Sequence, residues 1–138
     1  MSNVRKYKPS DMSESRVWKH FREAWPYHCE RQEPGIGSGQ PDVPLLDKRG
    51  NRGLIELKRP SKLILRPSQW IWHERDQRNK GRSCVVTCDN VKGRIKWRVF
   101  AIDVDTHVLI QLGSFIPEPD LTALEMANVV AAHLRLEI

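Results

Sequence analysis

The chain has 138 residues, of which 39% are hydrophobic; this suits one globular domain, and no apolar run approaches the roughly 18 residues that a membrane span requires. The net charge of +6 is unevenly divided, because residues 1–98 carry 22 Lys/Arg and 11 Asp/Glu whereas residues 99–138 carry one and six. The composition therefore excludes a disordered or membrane-spanning chain, and the basic section favours a nucleic-acid partner over ordinary solvated charge.

The N-terminal part of the chain predicts a basic arm followed by an amphipathic helix. Residues 1–10 are basic and no apolar stretch follows them, so we expect a flexible arm and no secretory signal. From Asp11 onward, apolar residues recur at helical spacing until Pro26. Asp11 and Glu14 fit the N-cap and N3 positions of a capping box. Glu14 also shares the apolar stripe, so a capping role and a functional role are both open.

The next segment predicts a β-hairpin. Residues 33–40 contain three glycines and form a loop that lacks the Lys-Ser/Thr ending of a phosphate-binding loop. Its glycines leave backbone room for a ligand. Residues 41–46 and 54–58 are two short strands, joined by a turn over 47–53. Prolines in the first strand imply that it is short or that it lies at an edge of the sheet.

The second half of the chain predicts a helix, three strands and a final helix. The helix covers residues 67–79, with Pro67 at its first position and Gly81 as its C-terminal stop. The strands cover residues 82–88, 97–104 and 107–112, and the last helix covers 121–134 with Asp120 as its cap. This order predicts a single α/β domain over residues 11–138, with a mixed central sheet flanked by helices.

The hairpin carries an unusual set of charged residues. Glu56 and Lys58 are two apart on a strand, so they point to one face, and Ile55 and Leu57 point to the other. On a half-exposed strand, such a pair is usually part of an ordinary alternation in which charged residues face solvent and apolar residues face the core. Asp42 changes this interpretation, because it begins the partner strand and can bring a second carboxylate to the same place.

Pro41-Asp42, thirteen further residues and then Glu56-Leu57-Lys58 resemble the Pro-Asp…(Asp/Glu)-x-Lys signature of the restriction-endonuclease-like nuclease superfamily. The order of the neighbouring motifs is similar to the VRR-NUC branch, which includes small enzymes of viruses and bacteria related to Holliday-junction resolvases. These motifs are residues 37–42, residues 55–60, and residues 66–69 followed by a helix and Gly81. The resemblance covers about residues 11–90, and the acidic section from Val99 onward has no counterpart.

The resemblance implies a restriction-endonuclease-like core and a Mg²⁺-dependent endonuclease that cleaves branched or structured DNA, with Mn²⁺ able to replace Mg²⁺. It implies that Asp42, Glu56 and the backbone carbonyl of Leu57 hold the metal, and that Glu14 reaches the metal directly or through water, or holds a second ion. Lys58 would hold or deprotonate the attacking water, or stabilise developing charge. Gln69 would orient the water, Lys58 or a phosphate. The implied catalytic residues are Glu14, Asp42, Glu56, Lys58 and Gln69.

Basic residues are expected to surround this site and to contact DNA phosphates. They are Lys48, Arg49, Arg52, Arg59, Lys62 and Arg66. A two-fold junction would suit a homodimer, formed through the last helix or the strands beyond Val99. A non-catalytic nucleic-acid-binding module on the same fold, such as a replication or recombination accessory, is the alternative.

The three cysteines, an odd number, do not suggest a secreted disulfide framework. Cys84 and Cys88 are expected to be buried structural thiols rather than zinc ligands. Cys29 beside His28 is not expected to be a nucleophile. We therefore expect a reduced setting, the cytosol of a bacterial or virus-infected cell according to the resemblance.

Overall fold

The architecture comes from a computed structural model, which describes residues 11–32, 39, 41–112 and 120–138. Its elements are α1 (Glu14–Ala24), β1 (Val43–Leu46), β2 (Arg52–Leu57), α2 (Pro67–Arg78), β3 (Ser83–Val91), β4 (Arg94–Asp103), β5 (Val108–Leu112) and α3 (Ala123–Leu134). The predicted α/β domain with a mixed sheet is confirmed. The predicted arm over residues 1–10 and most of the predicted glycine loop lie outside the described residues.

The five strands form one sheet in the order β1-β2-β3-β4-β5. β2 and β3 are parallel, and α2 connects them, since parallel neighbours need a crossover. The other neighbouring pairs are antiparallel, including the predicted β1–β2 hairpin. β1 is an outer strand of this sheet, as its prolines predicted, and the preceding segment contacts it through the Glu30 N–H, which donates to the Pro44 carbonyl at 3.1 Å.

The two faces of the sheet carry different kinds of residue. Ile55 and Leu57 belong to the larger hydrophobic core, which the sheet forms with α1 and α3. Because side chains alternate along a strand, Glu56 and Lys58 point to the opposite face, where α2 lies. The predicted division of β2 into an apolar and a charged face is therefore confirmed.

The predicted cap of α1 is wrong. The N-cap is Ser13, whose Oγ accepts a hydrogen bond from the Arg16 N–H at 3.3 Å. The Asp11 carboxylate instead accepts from Arg59 Nη2 at 2.8 Å. Arg59 lies 48 residues further along the chain, so local spacing could not show that it takes Asp11 away from the helix.

The predicted cap of α3 is wrong for a similar reason. Thr122 is the N-cap and forms a capping box with Glu125. Asp120 accepts from Arg98 Nε of β4 at 3.0 Å. Asp120 therefore accepts from a charged side chain of a strand and not from the N–H groups at the start of the helix.

The end of α2 also differs from the prediction. The left-handed conformation belongs to Lys80, with φ of 64°, rather than to Gly81. A Cβ at Gly81 would lie 2.2 Å from Oδ1 of Asp76, so a larger residue there would require the Asp76 side chain to move. Within the described ranges, no helix is long and apolar enough to cross a membrane.

Asp47, directly after β1, joins the hairpin turn to the C-terminal segment. Its Oδ1 accepts from the backbone N–H groups of Arg49 and Asn51 at 2.9 and 2.8 Å. Its Oδ2 accepts from the Glu137 N–H at 2.8 Å. Burial acts to raise the pKa of Asp47, but the N–H donors together lower it to about 2.

Acid is expected to weaken the fold partly through Asp47. Because the folded pKa lies below the unfolded value of about 3.9, the stabilisation is complete above about pH 4 and is lost as the pH falls toward 2. Asp47→Asn should lower Tm at pH 7, since an amide presents N–H to N–H donors, and should flatten the fall of Tm below pH 4. Thermal unfolding at pH 7, 4 and 2 measures both. The exposed Asp105, changed to Asn, is the control, and equal behaviour of the two variants would contradict the assignment.

Candidate functional site

Three charged residues meet at one end of the β1–β2 hairpin. Val43 pairs with Ile55 in the antiparallel register, so Asp42 is level with Glu56 and on the same face of the sheet. Lys58 lies two residues beyond Glu56 and shares that face. The exposed fractions are 6% for Asp42, 3% for Glu56 and 8% for Lys58. The hairpin therefore brings together, in a buried place, side chains that thirteen residues separate in sequence.

Gln69, in the first turn of α2, connects two of these residues. Its Oε1 accepts from Lys58 Nζ at 3.1 Å and from the Arg66 backbone N–H at 2.8 Å. Its Nε2 donates to Glu56 Oε1 at 3.0 Å. An amide is suited to this place because one end accepts from an ammonium and the other donates to a carboxylate. Gln69 thus holds Glu56 and Lys58 in fixed relative positions.

His73 is a member of the site that the sequence analysis did not assign. It lies one helical turn after Gln69 on the same side of α2 and is fully buried. Its Nδ1 is 2.9 Å from Ser83 Oγ, and its Nε2 is 3.5 Å from Glu56 Oε2. A neutral ring that accepts the Ser83 hydroxyl proton carries its own proton at Nε2, on the side of Glu56. The Gln-x-x-x-His spacing was the available signal.

The two carboxylates are in an unfavourable electrostatic setting. Burial raises the pKa of Asp42, although the Leu57 N–H and Arg31 oppose it. Burial also raises the pKa of Glu56; His73 and Lys58 oppose this shift, and the neighbouring Asp42 adds to it. Within the described part of the chain, Oε2 of Glu56 has no hydrogen bond of good geometry, and the His73 Nε2 atom at 3.5 Å is its one polar contact. A cation at this place would relieve both the repulsion and the missing contact.

Arg31 was also missed by the sequence analysis, and it connects Glu14 to the site. Its Nε is 3.4 Å from Asp42 Oδ2, and its Nη2 is 3.8 Å from Glu14 Oε1. Glu14 is half-exposed in the first turn of α1 and lies beside the site through this contact. Arg31 is brought in because its segment lies along β1, where the Gln32 N–H donates to the Asp42 carbonyl at 2.7 Å. No spacing in the sequence indicates that pairing.

The space beside Gly39 does not have the predicted role of accommodating a ligand. A Cβ at this position would lie 2.0 Å from the carbonyl oxygen of Ser68 and 3.0 Å from the backbone nitrogen of Gln69. Its φ of +70° also favours glycine. The space that this glycine leaves is therefore filled by the first turn of α2, not by a ligand. The remaining glycines of the predicted loop lie outside the described residues.

Half of the predicted DNA-contacting residues are not at the site. Lys48 and Arg49 lie in the hairpin turn and Arg52 begins β2, whereas Asp42 and Glu56 lie at the other end of the hairpin. Glu56 lies four residues after Arg52 along the strand, a distance of about 13 Å at roughly 3.3 Å per residue. The prediction that these three residues surround the site is therefore wrong, because the hairpin register sends its turn away from Asp42.

The other three predicted DNA-contacting residues follow β2 and lie on the side of the hairpin that carries the site. Arg59 forms an ion pair with Asp11. Lys62 and Arg66 are exposed in the segment that leads to α2. Whether any of the six residues contacts DNA stays a prediction.

The donor atoms of the site suit a hard cation. Asp42 and Glu56 offer carboxylate oxygens, which Mg²⁺ prefers, and neither a thiol nor a second imidazole is part of the set. In the described ranges, no group of three or more His, Cys, Asp or Glu side chains is arranged for a metal. Backbone carbonyls and water would have to complete the coordination, as is usual for Mg²⁺.

The cysteines do not belong to this site. Cys84 and Cys88 are buried in the sheet, as expected, and burial raises the pKa of Cys88 to about 12. Burial also raises the pKa of Cys29 to about 11. These thiols remain protonated at neutral pH, which does not suit a nucleophile.

Comparisons with models of protein families and with curated proteins gave no match to this chain. Its function therefore has to be inferred from the geometry and chemistry of the site, together with the order of the motifs.

Proposed function

We propose that the protein is a Mg²⁺-dependent DNA endonuclease of the restriction-endonuclease-like superfamily, related to the VRR-NUC branch. One observation carries the proposal: Asp42, Glu56 and Lys58 are buried on one face of the sheet, with Gln69 between Glu56 and Lys58. Burying two carboxylates and an ammonium costs desolvation free energy that apolar residues would avoid. A catalytic site gives a reason to keep them.

Phosphodiester hydrolysis needs an attacking water and compensation of the charge that develops on phosphate. Mg²⁺, held by Asp42, Glu56 and the Leu57 carbonyl and reached by Glu14 through water, would supply Lewis-acid charge compensation and a more acidic water. Lys58 presents its ammonium to the attacking water or to the phosphate oxygens.

The surrounding residues position this set. Gln69 fixes the distance between Lys58 and Glu56, and His73 limits the rotation of the Glu56 carboxylate. Arg31 balances the charge of Asp42 and Glu14 while no divalent cation is bound. These contacts leave the carboxylates and Lys58 prepared before substrate arrives, which is what catalysis by preorganised charge requires.

The choice of DNA rests on charge and on the resemblance. The basic section of the chain favours a polyanion, and Lys62 and Arg66 supply exposed positive charge in the segment that leads to α2. Branched or structured DNA, a homodimer and a cytoplasmic location follow from the resemblance. A non-catalytic binding module would share the basic surface, but it has no need for the buried carboxylate–lysine set.

A cleavage assay tests the proposal. The purified protein is incubated with linear, nicked, flapped and four-way DNA in Mg²⁺, in Mn²⁺ or in EDTA. We expect strand cleavage with either metal, fastest on the branched forms, and none in EDTA. Cleavage in EDTA would contradict the metal requirement, and no cleavage of any DNA in either metal would contradict the nuclease.

A further inference from the structure

A concavity lies on the α2 side of the sheet, beside the candidate site. It has a volume of about 380 Å³ and is lined by leucines together with Ile64, Trp70, Phe100 and His107. This volume lies in the range of roughly 300–1,000 Å³ that is typical of sites for small ligands. The walls are apolar and partly aromatic, which suits a flat ring more than a charged group.

The aromatic wall is ordered by its own contacts. The rings of Trp70 in α2 and His107 in the β4–β5 turn are stacked, with centroids 4.5 Å apart and planes 5° apart. His107 Nε2 lies 2.9 Å from Glu74 Oε1, which fixes the imidazole orientation. Ile64 is 66% exposed, a large apolar residue left at the surface beside this wall. The concavity therefore has an ordered aromatic wall and an apolar edge, and a ring that enters it would extend the Trp70–His107 stack.

The strand register places this concavity close to the candidate site. Glu56 pairs with Val85 of β3, and Val85 pairs with Phe100 of β4. Phe100 therefore lies two strands from Glu56 on the same face, about 10 Å at roughly 4.8 Å per strand. Trp70 directly follows Gln69. A strand whose phosphate is at Glu56 would bring a base only about one to three nucleotides away to the concavity, at roughly 3.4 Å or more per nucleotide.

The charge beside the concavity fits the same ligand. Lys62 and Arg66 lie on either side of Ile64 in the chain, and both are exposed. Neither forms an ion pair with an acidic side chain in the part of the chain that the structure describes. An apolar, aromatic concavity next to exposed cations is the combination that binds single-stranded nucleic acid, because bases stack while phosphates are neutralised.

We propose that the concavity binds an unpaired nucleobase of the DNA strand next to the phosphate that is cleaved. A paired base is held in its own stack and cannot enter, so the concavity selects DNA with unpaired nucleotides, such as flaps and junctions. This inference rests on the proposed nuclease function and specifies which feature of the DNA is recognised.

The test is a binding measurement on flapped DNA in EDTA, by fluorescence anisotropy. Single bases are removed one at a time, leaving abasic nucleotides at successive positions around the junction. We expect one or two neighbouring positions at which base removal weakens binding about tenfold, with changes below about twofold elsewhere.

Two exposed isoleucines provide a matched pair of variants. In Ile64→Ser, the position-specific loss should disappear, and binding of the intact DNA should weaken by about the same factor. In Ile71→Ser, which changes a 51% exposed residue that does not line the concavity, the profile should be unchanged. Trp70→Leu, checked for folding by circular dichroism, should act like Ile64→Ser.

The outcomes separate this inference from the nuclease function. A flat abasic profile, absent binding, or a profile unchanged in both Ile64→Ser and Trp70→Leu would overturn the nucleobase site. The same DNA is then incubated with Mg²⁺. Cleavage combined with a flat profile contradicts the nucleobase site alone, and a position-specific profile without cleavage contradicts the nuclease alone.

Discussion

Glu56→Gln is expected to lower the rate of DNA cleavage by at least about 10³-fold and to raise the free energy of unfolding by about 1 kcal/mol. The amide keeps the shape of the side chain and its hydrogen bond from Gln69, and His73 faces the new NH2 group as an acceptor once its proton moves to Nδ1, where Ser83 Oγ accepts it. The substitution removes the negative charge that the proposed chemistry needs. The gain in stability has a separate cause: Glu56 is 3% exposed, and burial raises its pKa, so its ionised form is costly in the fold.

The pH dependence gives this prediction a sign. Because the pKa of Glu56 is higher in the folded than in the unfolded chain, ionisation destabilises the protein as the pH rises through the folded value. The advantage of the Glu56→Gln variant should therefore be largest at pH 7 and vanish below about pH 4.

Initial cleavage rates and urea unfolding at pH 7 and pH 4 measure both effects of Glu56→Gln. Glu23→Gln, at an exposed position of α1, serves as the matched control and should change neither quantity. If the Glu56→Gln variant cleaves within about tenfold of the native rate, Glu56 has no part in the mechanism. A loss of stability at pH 7 would instead show that the charge is compensated.

Gly39→Ala is expected to lower the free energy of unfolding by more than about 2 kcal/mol and to reduce cleavage by at least about 100-fold. Its new methyl group would meet backbone atoms of Ser68, which cannot move without shifting the start of α2. That shift would displace Gln69 and release Glu56 and Lys58 from their fixed positions.

A second glycine separates this contact from backbone strain. Gly50 has φ of +83°, and a Cβ there would meet no atom within 4 Å. Gly50→Ala should therefore cost only about 1–2 kcal/mol for the left-handed conformation and leave cleavage within about twofold. Urea unfolding and cleavage rates of both variants are compared. If the two variants lose equal stability and activity, Gly39 does not support α2.

The hairpin and the facing of Glu56 and Lys58 could be predicted because each depends on local information. Alternation along a strand fixes which side chains share a face, and prolines mark an outer strand. Once the hairpin is assumed, Asp42 is also expected to lie opposite Glu56, because a short hairpin fixes which residues of the two strands face each other. The order of the motifs predicts Gln69 as a site residue, and in the structure it lies between Glu56 and Lys58.

Other features depend on contacts that no local pattern contains. Arg31 reaches Asp42 because an irregular segment runs along β1, and Asp11 leaves the α1 cap for a distant arginine. The prediction that Lys48 lies near the site assumes that residues close in the chain are also close in space. The hairpin turn instead lies at the opposite end of the two strands from Asp42 and Glu56. His73 is different: its spacing from Gln69 was visible, but a buried histidine is more often structural than functional.

The crossover between β2 and β3 has a consequence for motion. Buried polar contacts from Gln69 and His73 join α2 to the strand beneath it, so undocking of this helix separates Gln69 from Glu56 and Lys58. Under the proposed function, the molecules in which α2 has opened locally are therefore inactive. A ligand that needs Gln69, Glu56 and Lys58 together favours, by mass action, the molecules in which α2 is docked. Local opening of α2 should therefore decrease when the site is occupied.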